Sequence, residues 1–217
     1  MPQLIVRNLE PAVVRRLRSR AAANVLINAG FREVANMEGG IQAWEGKKAE
    51  GLPQEDFSYF AAASSPEEHA VLAWHLEEGA RRFYAEMAVT IQDRESASLL
   101  RELATAEEHH KDMLLSLYEG LSGRPAAGDF PAGLLPEPSG QFMEGGMGVE
   151  EAIAWTQGRQ IRDILDLAMA LETNAYDRYL LLSRELPDEN SRRIFEVLSD
   201  EERRHLQKLG HLLEHFV

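Results

Sequence analysis

One pattern of four residues occurs twice in this chain with the same internal spacing. It consists of a glutamate, a tyrosine seven residues later, and a Glu-x-x-His motif that begins 30 residues after the first glutamate. The two copies, offset by 95 residues, are Glu77, Tyr84, Glu107 and His110, and then Glu172, Tyr179, Glu202 and His205. Such a repeat predicts two similar halves that bring four carboxylates and two imidazoles together, which is the ligand set of a dinuclear metal site.

The spacing of the repeat fits two helical hairpins. Residues three apart lie on one face of a helix, so each Glu-x-x-His motif can bind one side of a site. The midpoint between the two glutamates of the first copy is Gln92, beside Asp93, and that of the second copy is Pro187, beside Asp188. If each pair of helices turns at its midpoint, both glutamates of a pair reach the same height in the bundle.

The chemistry of these ligands favours particular metals. Carboxylate oxygen and imidazole nitrogen suit iron or manganese better than structural zinc, which prefers thiolates and closed four-coordination. We therefore expect two iron ions, with manganese as the alternative. Six residues saturate two six-coordinate ions only if some of them bridge. The predicted ligands are bridging Glu107 and Glu202, terminal Glu77 and Glu172, and one histidine for each ion, His110 and His205.

The residues around the predicted ligands have simpler interpretations. Tyr84 and Tyr179 are either proton or electron donors next to the metal or buried tyrosines that pack over it. The glutamates beside the ligands are expected to face water, and the other histidines to lie at the surface or at helix ends. These residues are Glu78, Glu108, Glu201, His69, His75, His109, His211 and His215.

The pattern from Pro66 onward is almost entirely helical. It predicts long helices at 66 to about 92, 95–119, 160–185, and 188 or 190 to near 215, with a short helix at 149–157. A Gly/Pro-rich stretch, 120–148, is too long for a hairpin loop and suits a crossover. The predicted fold is mainly α, a ferritin-like four-helix bundle of two hairpins joined by a long crossover, with a short α/β N-terminal segment.

Composition excludes several classes of function. The chain has 36 acidic against 23 basic residues, which makes nucleic acid a poor partner. It has no cysteine, so disulfides, thiolate metal sites and thiol nucleophiles are excluded. Neither a signal peptide nor a membrane-spanning run is visible, and a soluble cytoplasmic protein is expected.

Over residues 66–217 the chain resembles the rubrerythrin-type ferritin-like di-iron proteins. The resemblance is carried by the glutamates and histidines of the repeat, together with Phe83-Tyr84 and Tyr179. It implies a di-iron centre that reduces hydrogen peroxide or oxygen, in a homodimer that the long crossover would allow to be domain-swapped. Rubrerythrins usually carry a further glutamate three residues after the first glutamate of the third helix, and here that residue is Ala175. They also carry a four-cysteine rubredoxin domain, whereas this chain has no cysteine. Electrons would therefore have to come from another protein, such as a rubredoxin.

Residues 1–52 are similar to the tail of a rhodanese domain, through Arg18-Ser19-Arg20-Ala21-Ala22, Glu38-Gly39-Gly40 and Gly51-Leu52-Pro53. Val13 stands where the nucleophilic cysteine would fall, so this segment is predicted to be catalytically dead, with 53–65 as a linker and 66–217 as the bundle. Residues 1–23 also resemble the start of a ribbon-helix-helix DNA-binding protein.

Two other functions remain open at this point. One is a storage-type protein that binds and oxidises ferrous iron without turning over a reductant. The other is a metal-free helical interaction module, in which the repeat is only inherited architecture.

Overall fold

A computed structural model describes residue 63 and residues 65–126, 130–131 and 141–216. The chain divides into two units, residues 1–52 and 53–217, and all described residues belong to the second unit. The predicted rhodanese-like segment, its DNA-binding alternative and nearly all of the predicted linker therefore lie outside the described residues.

Four long helices form two hairpins, and the mainly α ferritin-like bundle is confirmed. The helices are α1 (Pro66–Thr90), α2 (Arg94–Ser122), the short α3 (Val149–Thr156), α4 (Ile161–Glu185) and α5 (Glu189–Leu213). Helix α1 packs on α2, α4 packs on α5, and α2 also contacts α5. The first helix begins with a capping box, in which Ser65 and Glu68 each bond the other's backbone N–H.

The return helix of each hairpin begins in the same way. The Asp93 side chain accepts a hydrogen bond from the Ser96 backbone N–H at 2.8 Å, and Asp188 accepts one from the Ser191 N–H at 2.6 Å. These two caps are also offset by 95 residues. Both turns fall at the predicted midpoints, so the repeat extends from the ligands to the start of the return helix.

The apolar core repeats as well. Many buried positions carry the same residue in both halves, again 95 residues apart. These pairs are Leu72/Leu167, Ala73/Ala168, Leu76/Leu171, Ala80/Ala175, Leu103/Leu198, Leu114/Leu209 and Leu117/Leu212. Because like residues fill like places, the two hairpins present their glutamates and histidines from matching heights.

The crossover contains a small hairpin that the sequence did not predict. Strands β1 (Phe142–Met143) and β2 (Met147–Gly148) pair antiparallel around a 3-10 turn, Glu144–Gly146. Gly145 and Gly146 have φ angles of 82° and 76°, which favour glycine. This hairpin packs against α1, and its turn also contacts α4.

Within the described part of the chain, none of the helices combines the length and the apolar character that crossing a membrane requires.

Candidate metal centre

The six predicted ligands meet inside the bundle, between the two hairpins. All six are buried: Glu77 from α1, Glu107 and His110 from α2, Glu172 from α4, and Glu202 and His205 from α5. Their ligand atoms form two groups, in each of which all atoms lie within 4.8 Å of one another. The first group contains Glu77, Glu107, His110 and Glu202, and the second contains Glu107, Glu172 and His205.

The atoms of the first group lie close together. His110 Nδ1 lies 2.9 Å from a Glu107 oxygen, 3.1 Å from Glu202 Oε1 and 3.7 Å from Glu77 Oε1. Yet His110 Nδ1, Glu107 Oε2 and Glu202 Oε1 are buried with no hydrogen-bond partner among the described residues. Buried polar atoms normally find such partners. Three buried ligand atoms that converge with no such partner fit a cation between them.

Glu202 connects the two groups. Its Oε2 atom lies 3.0 Å from His205 Nδ1, and a Glu172 oxygen lies at the same distance from that nitrogen. Glu202 therefore presents one oxygen to each histidine, and the two imidazole rings stack with centroids 5.6 Å apart. Glu107 belongs to both groups. The two carboxylates with the predicted bridging role are thus the two that face both halves.

Each tyrosine of the repeat reaches across to the other hairpin. The Tyr84 hydroxyl donates a hydrogen bond to Glu172 Oε1 at 2.5 Å, and the Tyr179 hydroxyl donates one to Glu77 Oε1. Both tyrosines are fully buried. Burial and the nearby carboxylates hold the pKa of each phenol well above its usual value, so both remain protonated. The two phenols bond predicted ligands directly, which goes beyond packing over them.

The site carries more negative charge than its own residues neutralise. Burial and a neighbouring carboxylate raise the pKa of Glu107 well above its usual range, and burial and Glu202 raise that of Glu172 to about 8. Burial lowers the pKa of His205, but the charges and hydrogen bonds of Glu172 and Glu202 outweigh it and bring the value to about 10. A cluster with these values holds protons wherever no cation balances it. The structure thus offers a site that can hold metal.

The other ring nitrogen of His110 has a carboxylate partner that the sequence did not reveal. Its Nε2 atom lies 3.0 Å from Glu201, whose side chain is 28% exposed. The expectation that Glu201 faces water therefore holds only in part. It is wrong for Glu78, whose side chain is 16% exposed and accepts a hydrogen bond from Lys111 at 2.6 Å, whereas Glu108 is exposed. A carboxylate on the far nitrogen of a metal-binding histidine fixes its ring orientation.

Another carboxylate, Glu144, is buried beside the bundle on the turn of the crossover hairpin. Arg178 of α4, next to Tyr179, donates a hydrogen bond to it. Sequence reasoning missed this glutamate because it lies outside every helical pattern.

The remaining histidines mostly behave as expected. His109, His211 and His215 are exposed, and His69 is partly buried. His75 is an exception, since it is buried in α1 against the Trp74 ring, where burial lowers its pKa. The prediction of a surface or cap position for His75 is wrong, because the apolar face of α1 includes that position.

Comparison with known proteins supports the same assignment. The rubrerythrin family model matches residues 71–155 and 163–216, well over half of the chain. A hypothetical protein from Pyrococcus furiosus of known structure is similar, with a TM-score of 0.52 and 28% sequence identity, covering 76% of this chain and 98% of that one. No curated protein matches the chain. The family match covers all six converging side chains, and the chain belongs to the rubrerythrin family.

Proposed function

We propose that this protein is a non-haem di-iron oxidoreductase that reduces hydrogen peroxide, or oxygen, with electrons from a separate donor protein. One observation carries the proposal. His110 Nδ1, Glu107 Oε2 and Glu202 Oε1 converge in the interior without a hydrogen-bond partner among the described residues. A metal-free interaction module would not benefit from this arrangement, because unpartnered buried polar atoms destabilise a fold.

The proposed ligands are the six residues of the repeat. Glu107 and Glu202 would bridge the ions, Glu77 and Glu172 would be terminal ligands, and His110 and His205 would each bind one ion. Iron is the proposed metal and manganese the alternative, as the oxygen and nitrogen donor set indicates. A pair of ferrous ions supplies two electrons, which is the number that converts one hydrogen peroxide and two protons into two waters.

The two tyrosines have the proposed role of proton donors that also orient the terminal carboxylates. Tyr84 holds Glu172 and Tyr179 holds Glu77, and each phenol keeps its proton at neutral pH. The hydroxyl hydrogen therefore lies one hydrogen bond from each terminal ligand. A donor in this position can deliver a proton to the site without admitting bulk water.

The proposed partners follow from what the chain lacks. It has no cysteine and hence no rubredoxin centre, so the electron donor is a separate redox protein such as a rubredoxin. A homodimer, possible domain swapping and a cytoplasmic location remain predictions, as does the catalytically dead rhodanese-like segment at 1–52.

Steady-state turnover tests the proposed function. Protein loaded anaerobically with ferrous iron receives hydrogen peroxide and a reduced rubredoxin, and peroxide consumption is followed over many turnovers. The proposal expects multiple turnovers, abolished in Glu107→Ala. A single oxidation of the bound iron, followed by further iron uptake without reductant consumption, would indicate the storage-type function instead. No metal uptake would leave only the interaction module.

A further inference from the structure

The carboxylate of Glu144 lies in the protein interior, and only one of its two oxygens has a hydrogen-bond partner among the described residues. The residue is 1% exposed. Arg178 donates a hydrogen bond to Oε2, while Oε1 is buried and has no hydrogen-bond partner within the described ranges. An unpartnered carboxylate oxygen in the interior is costly, so its position calls for a cation or a donor that completes it.

A glycine in α1 allows the crossover hairpin to bring Glu144 in. A Cβ atom at Gly79 would lie 2.0 Å from the Phe142 carbonyl oxygen, so no larger residue fits without moving the hairpin. Gly79 stands two residues after the predicted ligand Glu77. The corresponding residue of the second half is Asn174, which means that this close approach belongs to one hairpin alone.

The contacts of Glu144 lead to the predicted ligands. The turn that carries it packs on α1 and α4, and its partner Arg178 precedes Tyr179, whose hydroxyl bonds Glu77. Burial raises the pKa of Glu144 to about 8, Arg178 lowers it, and the charges of Glu77, Glu202 and Glu172 raise it again. Arg178 also offsets the added charge. When metal binding displaces the proton of Glu144, its charge cancels that of Arg178, and the four carboxylates of the repeat still balance two divalent cations.

We propose that Glu144 is a further metal-ligating residue of this centre, held through Oε2 by Arg178 and offering Oε1 to one of the two ions. This inference rests on the proposed di-metal function. It makes the crossover hairpin part of the site, and it makes Gly79 a positioning residue that determines how far the hairpin reaches.

The test compares Glu144→Gln with Glu150→Gln in the full-length protein. Glutamine keeps an oxygen for Arg178 but is a much weaker metal ligand. Glu150, an exposed residue that pairs with Arg82, is the control position. Mn²⁺ affinity is measured by chelator competition, bound metal by mass spectrometry, and unfolding temperature with and without Mn²⁺. Glu144→Gln should weaken one of the two ions at least about tenfold and reduce the Mn²⁺-dependent rise in unfolding temperature, while Glu150→Gln should change neither.

A second pair of variants tests whether the close approach of the crossover hairpin to α1 positions Glu144. Gly79→Ala leaves all six helix ligands in place but forces the hairpin away, and Gly120→Ala on α2, where an added Cβ meets nothing within 4 Å, is its control. Gly79→Ala should weaken Mn²⁺ binding in the same way as Glu144→Gln, and the double variant should show no further loss. Far-UV circular dichroism checks that each variant folds.

The outcomes separate this inference from the proposed function. Wild-type affinity for both ions in Glu144→Gln would overturn it, even with a lower metal-free stability, since Glu144 would then serve only as a counter-ion for Arg178. No Mn²⁺ uptake by the wild-type protein would overturn both the proposed function and this inference.

Discussion

The hairpins α1–α2 and α4–α5 carry identical residues at every predicted ligand position, but they differ immediately beside those positions. Glu201, which lies 3.0 Å from the far nitrogen of His110, corresponds to Ala106 in the first half. Alanine cannot provide His205 with the same partner. The two histidines therefore have the same place in the repeat and different surroundings.

A second difference lies beside the tyrosines. Arg178, which holds Glu144, corresponds to Phe83 in the first half, a fully buried apolar residue. The repeat thus accounts for the ligands, while residues that break it add one carboxylate next to His110 and another on the crossover. We expect from this comparison that the two metal positions are chemically unequal.

Removal of a terminal ligand from one hairpin should cause the largest change, which is a loss of bound metal. Glu77→Ala and Glu172→Ala are each expected to lose about one of two ions, because each carboxylate belongs to a single group of ligand atoms. Metal analysis of the purified variants measures this loss. Glu86→Ala, an exposed glutamate on α1, is the control. Loss of both ions from either variant would show that the halves do not bind separately.

The pH dependence should differ between metal-free and metal-bound protein. Glu172 has a folded pKa of about 8 against 4.5 unfolded, so the metal-free protein loses stability as pH rises between these values. His205, at about 10 against 6.5, adds stability that is complete below pH 6.5 and is lost as pH rises towards 10. Both contributions fall with rising pH.

Metal binding must displace these protons, so affinity should rise with pH. Release of the protons of Glu172 and His205 alone corresponds to about a 100-fold gain in affinity per pH unit near neutrality, and release of the Glu107 proton would add to it. Calorimetry in buffers of different ionisation enthalpy counts the protons, and thermal unfolding from pH 6 to 8 follows the stability of the metal-free protein. Proton-independent binding would contradict the charge balance described for the site.

Loss of the contact between Glu201 and His110 should have a smaller effect on metal affinity. Glu201→Gln should lower the affinity for one ion by about 10–100-fold, since an outer carboxylate orients its histidine. Asp200→Asn, at an exposed neighbouring position, should have no effect. Chelator competition measures both. Equal affinities for the two variants would mean that Glu201 does not distinguish the two halves.

The tyrosines should have the smallest effect on binding. Tyr84→Phe and Tyr179→Phe each free one terminal carboxylate from a hydrogen bond, so metal affinity should fall by less than about tenfold, while peroxide turnover falls further. Tyr118→Phe, in the apolar core, is the control. Unchanged turnover in both variants would leave the phenols only a packing role.

The repeat was enough to predict the helices, the turns and which residues meet. Helical periodicity places residues three and seven apart on one face, and the equal spacing of Glu77 to Glu107 and Glu172 to Glu202 requires turns at matching places. Each predicted long helix ends within about a turn of the observed helix. This inference needed only spacing along single helices.

The residues that sequence analysis missed depend on packing between elements. Glu201 adjoins a ligand but points about 100° away around α5, so its contact with His110 depends on how α2 packs against α5. Glu144 reaches the site through a crossover turn that Gly79 admits, and no helical pattern encodes that approach. The cross-hairpin bonds of Tyr84 and Tyr179 likewise required the arrangement of both hairpins.

Metal content tests the central claim most directly. The full-length protein is purified without chelator and analysed for iron and manganese beside the double variant Glu107→Ala, Glu202→Ala, which lacks both predicted bridging ligands. We expect about two ions per chain in the wild-type protein and none in the variant. Substoichiometric metal that the two substitutions leave unchanged would contradict the account, because the repeated glutamates and histidines would then be architectural.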